Sequence, residues 1–241
     1  MGILLAGFVP KASDNSIGPI AIVELFTSEG CSSCPAAEEL LKEMTELIQR
    51  EGKNVLALSF HVTYWNRLGW NDPYSQEIFT LRQKKYAEAL KVEAVYTPQA
   101  IVNGEREFVG SNPIAFREAI ESGLSQTQLY AIQAKAQIKD KKLFLSYQID
   151  KEPKNAVLNV ALTENYIEHR VLRGENKDKT LRHYKVVLNF KTVELHKQDT
   201  VSIDLHENLN LSSTEVVLFA QHKKSMRILG ASKIALLESE D

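Results

Sequence analysis

Two cysteines stand three positions apart in Thr27–Ser28–Glu29–Gly30–Cys31–Ser32–Ser33–Cys34–Pro35, and the 241-residue chain has no others. A disulfide framework for a small secreted fold needs more than one such pair. The chemistry that suits this spacing is dithiol–disulfide exchange. A thiol at a helix N-terminus meets unpaired N–H groups and the positive end of the macrodipole, so its thiolate is favoured. Cys31 is the predicted nucleophile. Cys34, a turn further on, is placed to attack the mixed disulfide and release the product. Ser32 and Ser33 bring no cation to the thiolate, so less acidification is expected than in the most oxidising proteins of this chemistry. Two other readings stay open. A zinc site needs four ligands, and the six histidines (61, 169, 183, 196, 206 and 222) show no local pairing; no metal ligands are expected. A purely structural disulfide is the second alternative.

Other residues of chemical interest cluster around this motif in the sequence. Glu24 interrupts the apolar run Ile20–Phe26. A buried carboxylate there has a raised pKa and serves to carry the proton of the resolving thiol; an exposed strand face or a salt bridge explains it equally. The segment from His61 to Asp72 follows the second apolar run, Val55–Phe60, and carries Tyr64, Trp65 and Trp70. Loops at the C-terminal ends of parallel strands share the rim where open α/β sheets bind ligands. His61, Tyr64, Trp65 and Trp70 are therefore expected beside the cysteines, as an aromatic wall for substrate and a proton carrier. Plugging of the loop onto the core, with a structural histidine, is the alternative.

The elements that position these residues follow from periodicity. Ile20–Phe26 and Val55–Phe60 read as buried strands, and Ala36–Arg50 carries Leu40, Leu41, Met44, Leu47 and Ile48 on one helical stripe. A second helix between Pro73 and Lys91 sets Ile78, Arg82, Tyr86 and Ala89 on one side. Asn103–Gly104 predicts a hairpin turn between Ala100–Val102 and Glu107–Val109. Asn112 as N-cap, Pro113 and Gly123 delimit a third helix. Beyond residue 126 the period changes to two, as in Ile132, Ala134, Ala136 and Ile138, and six or seven short strands are expected. The charged stretch Arg170–Lys185 reads as a solvated loop, or as a hairpin reaching over the cysteines.

Val23–Pro35, Phe60–Trp65 with Leu68–Pro73, Val95–Gln99 with Val102–Gly104, and in the second half Arg173–Asn176 with Thr180–Val187, resemble a family of bacterial, mostly exported, thioredoxin-like proteins of undefined function. The resemblance implies a thioredoxin-like fold with a β-rich C-terminal part and an extracytoplasmic, periplasmic or secreted, location. In thioredoxin-like folds a cis proline faces the cysteines and offers a backbone edge to substrate. Thr97–Pro98 stands at that place, making Thr97 a substrate-binding residue and Pro98 part of the catalytic set; an ordinary trans proline is the alternative.

The expected fold class is thus an α/β thioredoxin-like domain over residues 19–125 followed by an all-β sandwich-like domain over 126–241. Residues 1–18 read as a flexible N-terminus or the remnant of an export signal. With 44% hydrophobic and 25% charged residues the chain has the composition of a soluble globular protein, and a net charge of −2 gives no general attraction to nucleic acid or anionic membrane. The longest apolar N-terminal run is too short to span a bilayer. The expected function is thiol–disulfide oxidoreductase, without cofactor, acting on a thiol- or disulfide-bearing protein or small molecule and served by an unidentified redox partner. The competing expectation is a binding or envelope-assembly protein with a structural disulfide.

Overall fold

The run Ile20–Thr27 is buried at every position, which a strand achieves only when both faces of its sheet are covered. In the computed structural model, which describes residues 18–205 and 209–236, this run is β1 and lies inside an eight-stranded mixed sheet. The expectation for the first 17 residues lies outside the described residues. The chain continues through α1 (Cys34–Arg50), β2 (Asn54–His61), α2 (Glu77–Leu90), β3 (Gln99–Val102), β4 (Arg106–Val109) and α3 (Pro113–Leu124). It then runs through β5 (Ile132–Lys139), β6 (Lys142–Ile149), β7 (Ala156–Arg170), β8 (Thr180–Glu194), β9 (Gln198–Asp204), β10 (Thr214–His222) and β11 (Ile228–Leu236).

The strand order corrects the expected fold class. A thioredoxin-like α/β unit followed by a separate β-sandwich is not what forms. The chain is mostly β, 44% strand against 23% helix. One sheet, β11-β10-β7-β8-β2-β1-β3-β4, takes strands from both halves, and β5-β6-β9 forms a second, three-stranded sheet. The join is a parallel bridge between Ser59 of β2 and Val186 of β8, where the Ser59 hydroxyl donates to the Tyr184 carbonyl at 2.6 Å. β7 and β8 are 15 residues each, long enough to belong to the β-rich half at one end and reach the first half at the other. Periodicity reports which way side chains point along a strand, and it carries no record of which strand lies alongside.

Three cores follow from this order. Ala21, Val23 and Leu25 of β1 meet α1 and α3, while Ile20, Ile22 and Phe26 face α2. The α2 core also takes in Ala161, Phe190, Val217 and Phe219, so apolar residues of both halves share it. Leu158, Val160 and Leu162 of β7, with Val216 and Leu218 of β10, pack against the three-stranded sheet.

Local signals mostly hold. Asn103 and Gly104 both adopt positive φ (50° and 69°), as a type I′ turn between antiparallel β3 and β4 requires. A side chain at Gly104 would also strike the Met226 carbonyl. Asn112 caps α3, accepting from the N–H groups of Ile114 and Ala115. The helical stripes are partly displaced. Leu47 and Ile78 are exposed, whereas Glu38 and Thr45 of α1 and Phe79 of α2 are buried.

A disulfide, a loop against its turn and a buried polar cluster

β1 ends at Thr27, and a turn in which the Cys31 N–H donates to the Ser28 carbonyl carries the chain to α1. Helical geometry begins at Cys34, with Ser33 at the N-cap, so Cys31 sits just ahead of the helix. Cys31 and Cys34 form a disulfide with Cα atoms 5.5 Å apart. Both are buried, at 1% and 0% exposure, while Ser32 and Ser33 between them face solvent. The Cys31 sulfur lies 3.8 Å from the Thr97 carbonyl oxygen and 3.4 Å from the Ser33 hydroxyl. The Thr97–Pro98 bond is cis. The Trp65 indole N–H donates to the Thr97 hydroxyl at 2.8 Å, fixing the position of that peptide.

The connection between β7 and β8, residues 171–179, lies against the disulfide turn. Asn176, fully buried, donates from Nδ2 to the carbonyls of Glu29 (2.9 Å) and Cys31 (3.0 Å). The Ser32 N–H donates to the Glu175 carboxylate at 3.0 Å, and hydrogen bonds from Ser32 hold that carboxyl below the ordinary range. Gly174, at φ +77°, stands where a side chain would press on Trp70. Both readings of Arg170–Lys185 are met in part: Glu175 and Asn176 of the β7–β8 connection contact the disulfide turn, while Arg170, Arg173, Lys177, Lys179 and Arg182 are exposed to solvent.

Beneath the turn lies a polar cluster. Glu29, Glu38, His61, Asp72 and His183 are all buried. His61 Nδ1 lies 2.7 Å from Asp72 Oδ2, which also accepts the Glu29 N–H at 2.8 Å. His183 bridges two carboxylates, Glu38 Oε2 at 2.7 Å from Nδ1 and Glu29 Oε1 at 3.0 Å from Nε2. Glu29 further receives the Trp70 indole N–H and meets His169 Nδ1, each at 2.7 Å. Thr27 donates to Glu38 Oε1. Burial acts to depress the His183 pKa, but Glu38 and Glu29 overcome it and carry the group up to about 10. For Asp72 burial works upward and His61 outweighs it, leaving the carboxyl below its ordinary value. Tyr74, whose ring packs on those of His61, His169 and His183, is pushed up to about 12 by burial and by Glu29 and Asp72.

The structure therefore brings together Cys31, Cys34, Thr97, Pro98 and Trp65, and ties His61 and Trp70 into the polar cluster through Asp72 and Glu29. Tyr64 packs against the α2 core. Glu24 points to the α2 side of the sheet, away from α1. Its carboxylate is held by Arg82 (2.5 and 2.8 Å) and by the Tyr86 hydroxyl, which is the salt-bridge alternative. None of Glu29, Glu38, Asp72, His169, His183, Glu175 and Asn176 is assigned to the site from sequence, although all but Glu38 and His169 lie in the stretches that carry the family resemblance. A signal existed for His183: Leu181 and His183 alternate with exposed Thr180 and Arg182, so the imidazole falls on a buried face.

Comparison with known proteins adds a family and a fold. A crystal structure of a structural-genomics target from Agrobacterium tumefaciens is similar with a TM-score of 0.68 and 26% identity, covering 91% of this chain and 96% of that one. A domain of the outer membrane lipoprotein Omp28 from Porphyromonas gingivalis aligns over 45% of this chain and 88% of its own, at 10% identity and a TM-score of 0.30, too remote to argue from. No curated protein matches the sequence. Residues 22–221 match the model of a family described as protein of unknown function (DUF1223), and the chain belongs to that family.

Proposed function

We propose that Cys31 and Cys34 are a cycling redox pair that exchanges electrons with a thiol or disulfide on a protein or small molecule. In the oxidising direction a substrate thiolate attacks the Cys31 sulfur, the Cys31–Cys34 bond breaks, and Cys34 leaves as the thiolate. A second substrate thiolate then attacks the mixed disulfide, forms the substrate disulfide and releases the reduced Cys31–Cys34 pair, so two electrons pass from substrate to protein. The reverse sequence reduces a substrate disulfide. The observation that carries this reading is the disulfide itself, closed across the start of α1, where backbone N–H groups stabilise a developing thiolate. The Thr97 backbone, 3.8 Å from the Cys31 sulfur, offers an edge against which a substrate peptide can lie.

Both cysteines are buried, and the 171–179 loop holds the backbone around Cys31 through Asn176 and Glu175, so release of that loop is part of the proposed exchange. An extracytoplasmic site of action is part of the proposal, supported by the presence of a disulfide, which oxidising compartments preserve. Among the described residues no helix is long and apolar enough to cross a membrane. The same burial favours a second reading, a binding or envelope-assembly protein whose disulfide is structural. Equilibration with glutathione buffers, read by alkylation and mass shift, separates the two. A reduction potential between about −120 and −270 mV supports a cycling pair, and one below about −300 mV without exchange on model substrates supports a structural bond.

A further inference from the structure

His61 Nε2 is fully buried and has no hydrogen-bond partner among the described residues. A buried polar atom left unmatched costs free energy, so its surroundings call for an explanation. The other nitrogen of the same ring is held by Asp72, and His61 faces His183 with ring centroids 4.9 Å apart. Ligand-type atoms of Glu38, His61 and His183 all lie within 4.8 Å of one another.

Each of the three is fixed from outside. Asp72 holds His61 Nδ1, Glu29 meets His183 Nε2, and Thr27 donates to Glu38 Oε1. The nitrogen left without a partner on His61 is Nε2, and His183 Nδ1 and Glu38 Oε2 are held 2.7 Å from each other. A carboxylate on the outer nitrogen of a histidine is the usual support of a metal-ligating imidazole. The charge balance points the same way. Glu29, Glu38 and Asp72 are buried together, and among the described residues their ion-pair partners are histidines, with no lysine or arginine. A divalent ion among buried carboxylates can take the place of the protons that the histidines now share with them.

We propose that Glu38, His61 and His183 bind a divalent transition-metal ion, with zinc the best match to two imidazoles and one carboxylate. Ligands at about 2.0–2.2 Å from one ion stand closer together than 4.8 Å, so binding draws the three inward and replaces the proton shared by His183 and Glu38. This departs from the sequence expectation of no metal, which looked for locally paired histidines; Glu38 and His183 are 145 positions apart. The site excludes the cysteines and stands whether or not the disulfide cycles.

The test uses the full chain with its disulfide verified intact by mass, so that the thiols cannot ligate, and in parallel the Cys31→Ser/Cys34→Ser variant. After chelator treatment, zinc is titrated by calorimetry and bound metal is counted by elemental analysis; cobalt serves as a spectroscopic probe. The expected result is one zinc per chain in both forms, with cobalt absorption of nitrogen–oxygen ligation and no thiolate charge-transfer band. His61→Ala should abolish binding, and Asp72→Asn should weaken it about 10–100-fold with the fold intact by near-ultraviolet circular dichroism. Should His61→Ala not fold, Glu38→Gln takes its place with the same expectation. Absence of stoichiometric zinc in the folded oxidised chain overturns the proposal. So does binding lost in the cysteine-free variant, or binding unchanged in the Glu38 and Asp72 variants.

Discussion

Asn176 donates its side-chain amide to the carbonyl of Cys31 at 3.0 Å, across 145 positions of sequence. A single residue of the β7–β8 loop thus pins the backbone of the proposed nucleophile, and the same amide group reaches the Glu29 carbonyl. Asn176→Ala removes both bonds. Losing about 1.4 kcal/mol of loop closure, within the ordinary worth of such bonds, multiplies the open fraction about 10-fold. Reduction of the disulfide by dithiothreitol, followed by quenched alkylation, should accelerate by that factor. An unchanged rate would mean that the loop does not gate the sulfurs.

The two cysteines should differ in reactivity. In Cys34→Ser the remaining Cys31 thiol is expected to titrate below the free-cysteine value of about 8.5, seen as thiolate absorbance against pH, and to react with an aromatic disulfide at least about 10-fold faster than Cys34 does in Cys31→Ser. Equal reactivities, or a faster Cys34, would reverse the assignment of attacking and resolving thiols.

Glu24 and Arg82 form a buried pair that also engages Tyr86 and Gln221 and places the guanidinium among Phe60, Phe190 and Phe219. Glu24→Gln leaves Arg82 buried without its counter-ion, which should cost about 3–5 kcal/mol in urea unfolding. The reduction potential of the Cys31–Cys34 pair and the pH profile of exchange should not move. A displaced profile would place Glu24 in the proton path to the thiols after all.

Acid sensitivity should trace in part to Glu215. Burial works to raise its carboxyl, but Lys185 at 2.8 Å and Lys233 at 3.4 Å prevail and hold it below 4.5. A carboxyl whose folded value is depressed adds stability above its unfolded value, and that stability is lost as pH falls through the folded one. Urea unfolding of the parent chain and Glu215→Gln should therefore differ most at neutral pH and converge below about pH 4. A gap that stays constant down to pH 3 would remove the carboxylate from the account.

Features governed by neighbouring residues were legible in the sequence. The Cys31–Cys34 pair ahead of a helix, the Asn103–Gly104 turn and the Asn112 cap each depend on a few consecutive positions, whereas the cis Thr97–Pro98 bond was expected only from the family resemblance. The fold class was not, because it turns on β2 lying beside β8, a contact made through one parallel bridge. β8 also breaks its own alternation, with Lys185 at φ 53° and a register shift opposite Leu162 and Thr163, so the face predicted from Tyr184, Val186, Leu188 and Phe190 is not kept along the strand. The polar cluster is not legible in the sequence for a related reason. Glu38 sits on a helix stripe read for its leucines, and His183 becomes a neighbour only once the large sheet is assembled.

The placement of His183 on β8 also sets an order of events during synthesis. The ribosome delivers Glu29, Cys31, Cys34, Glu38, His61 and Asp72 long before it delivers the imidazole that sits between Glu29 and Glu38. Until β8 emerges and docks beside β2, two carboxylates destined for burial have no His183 to face, and Asn176 is absent from the disulfide turn. The cysteines of a nascent chain therefore meet oxidants before Asn176 is in place to hold the Cys31 carbonyl.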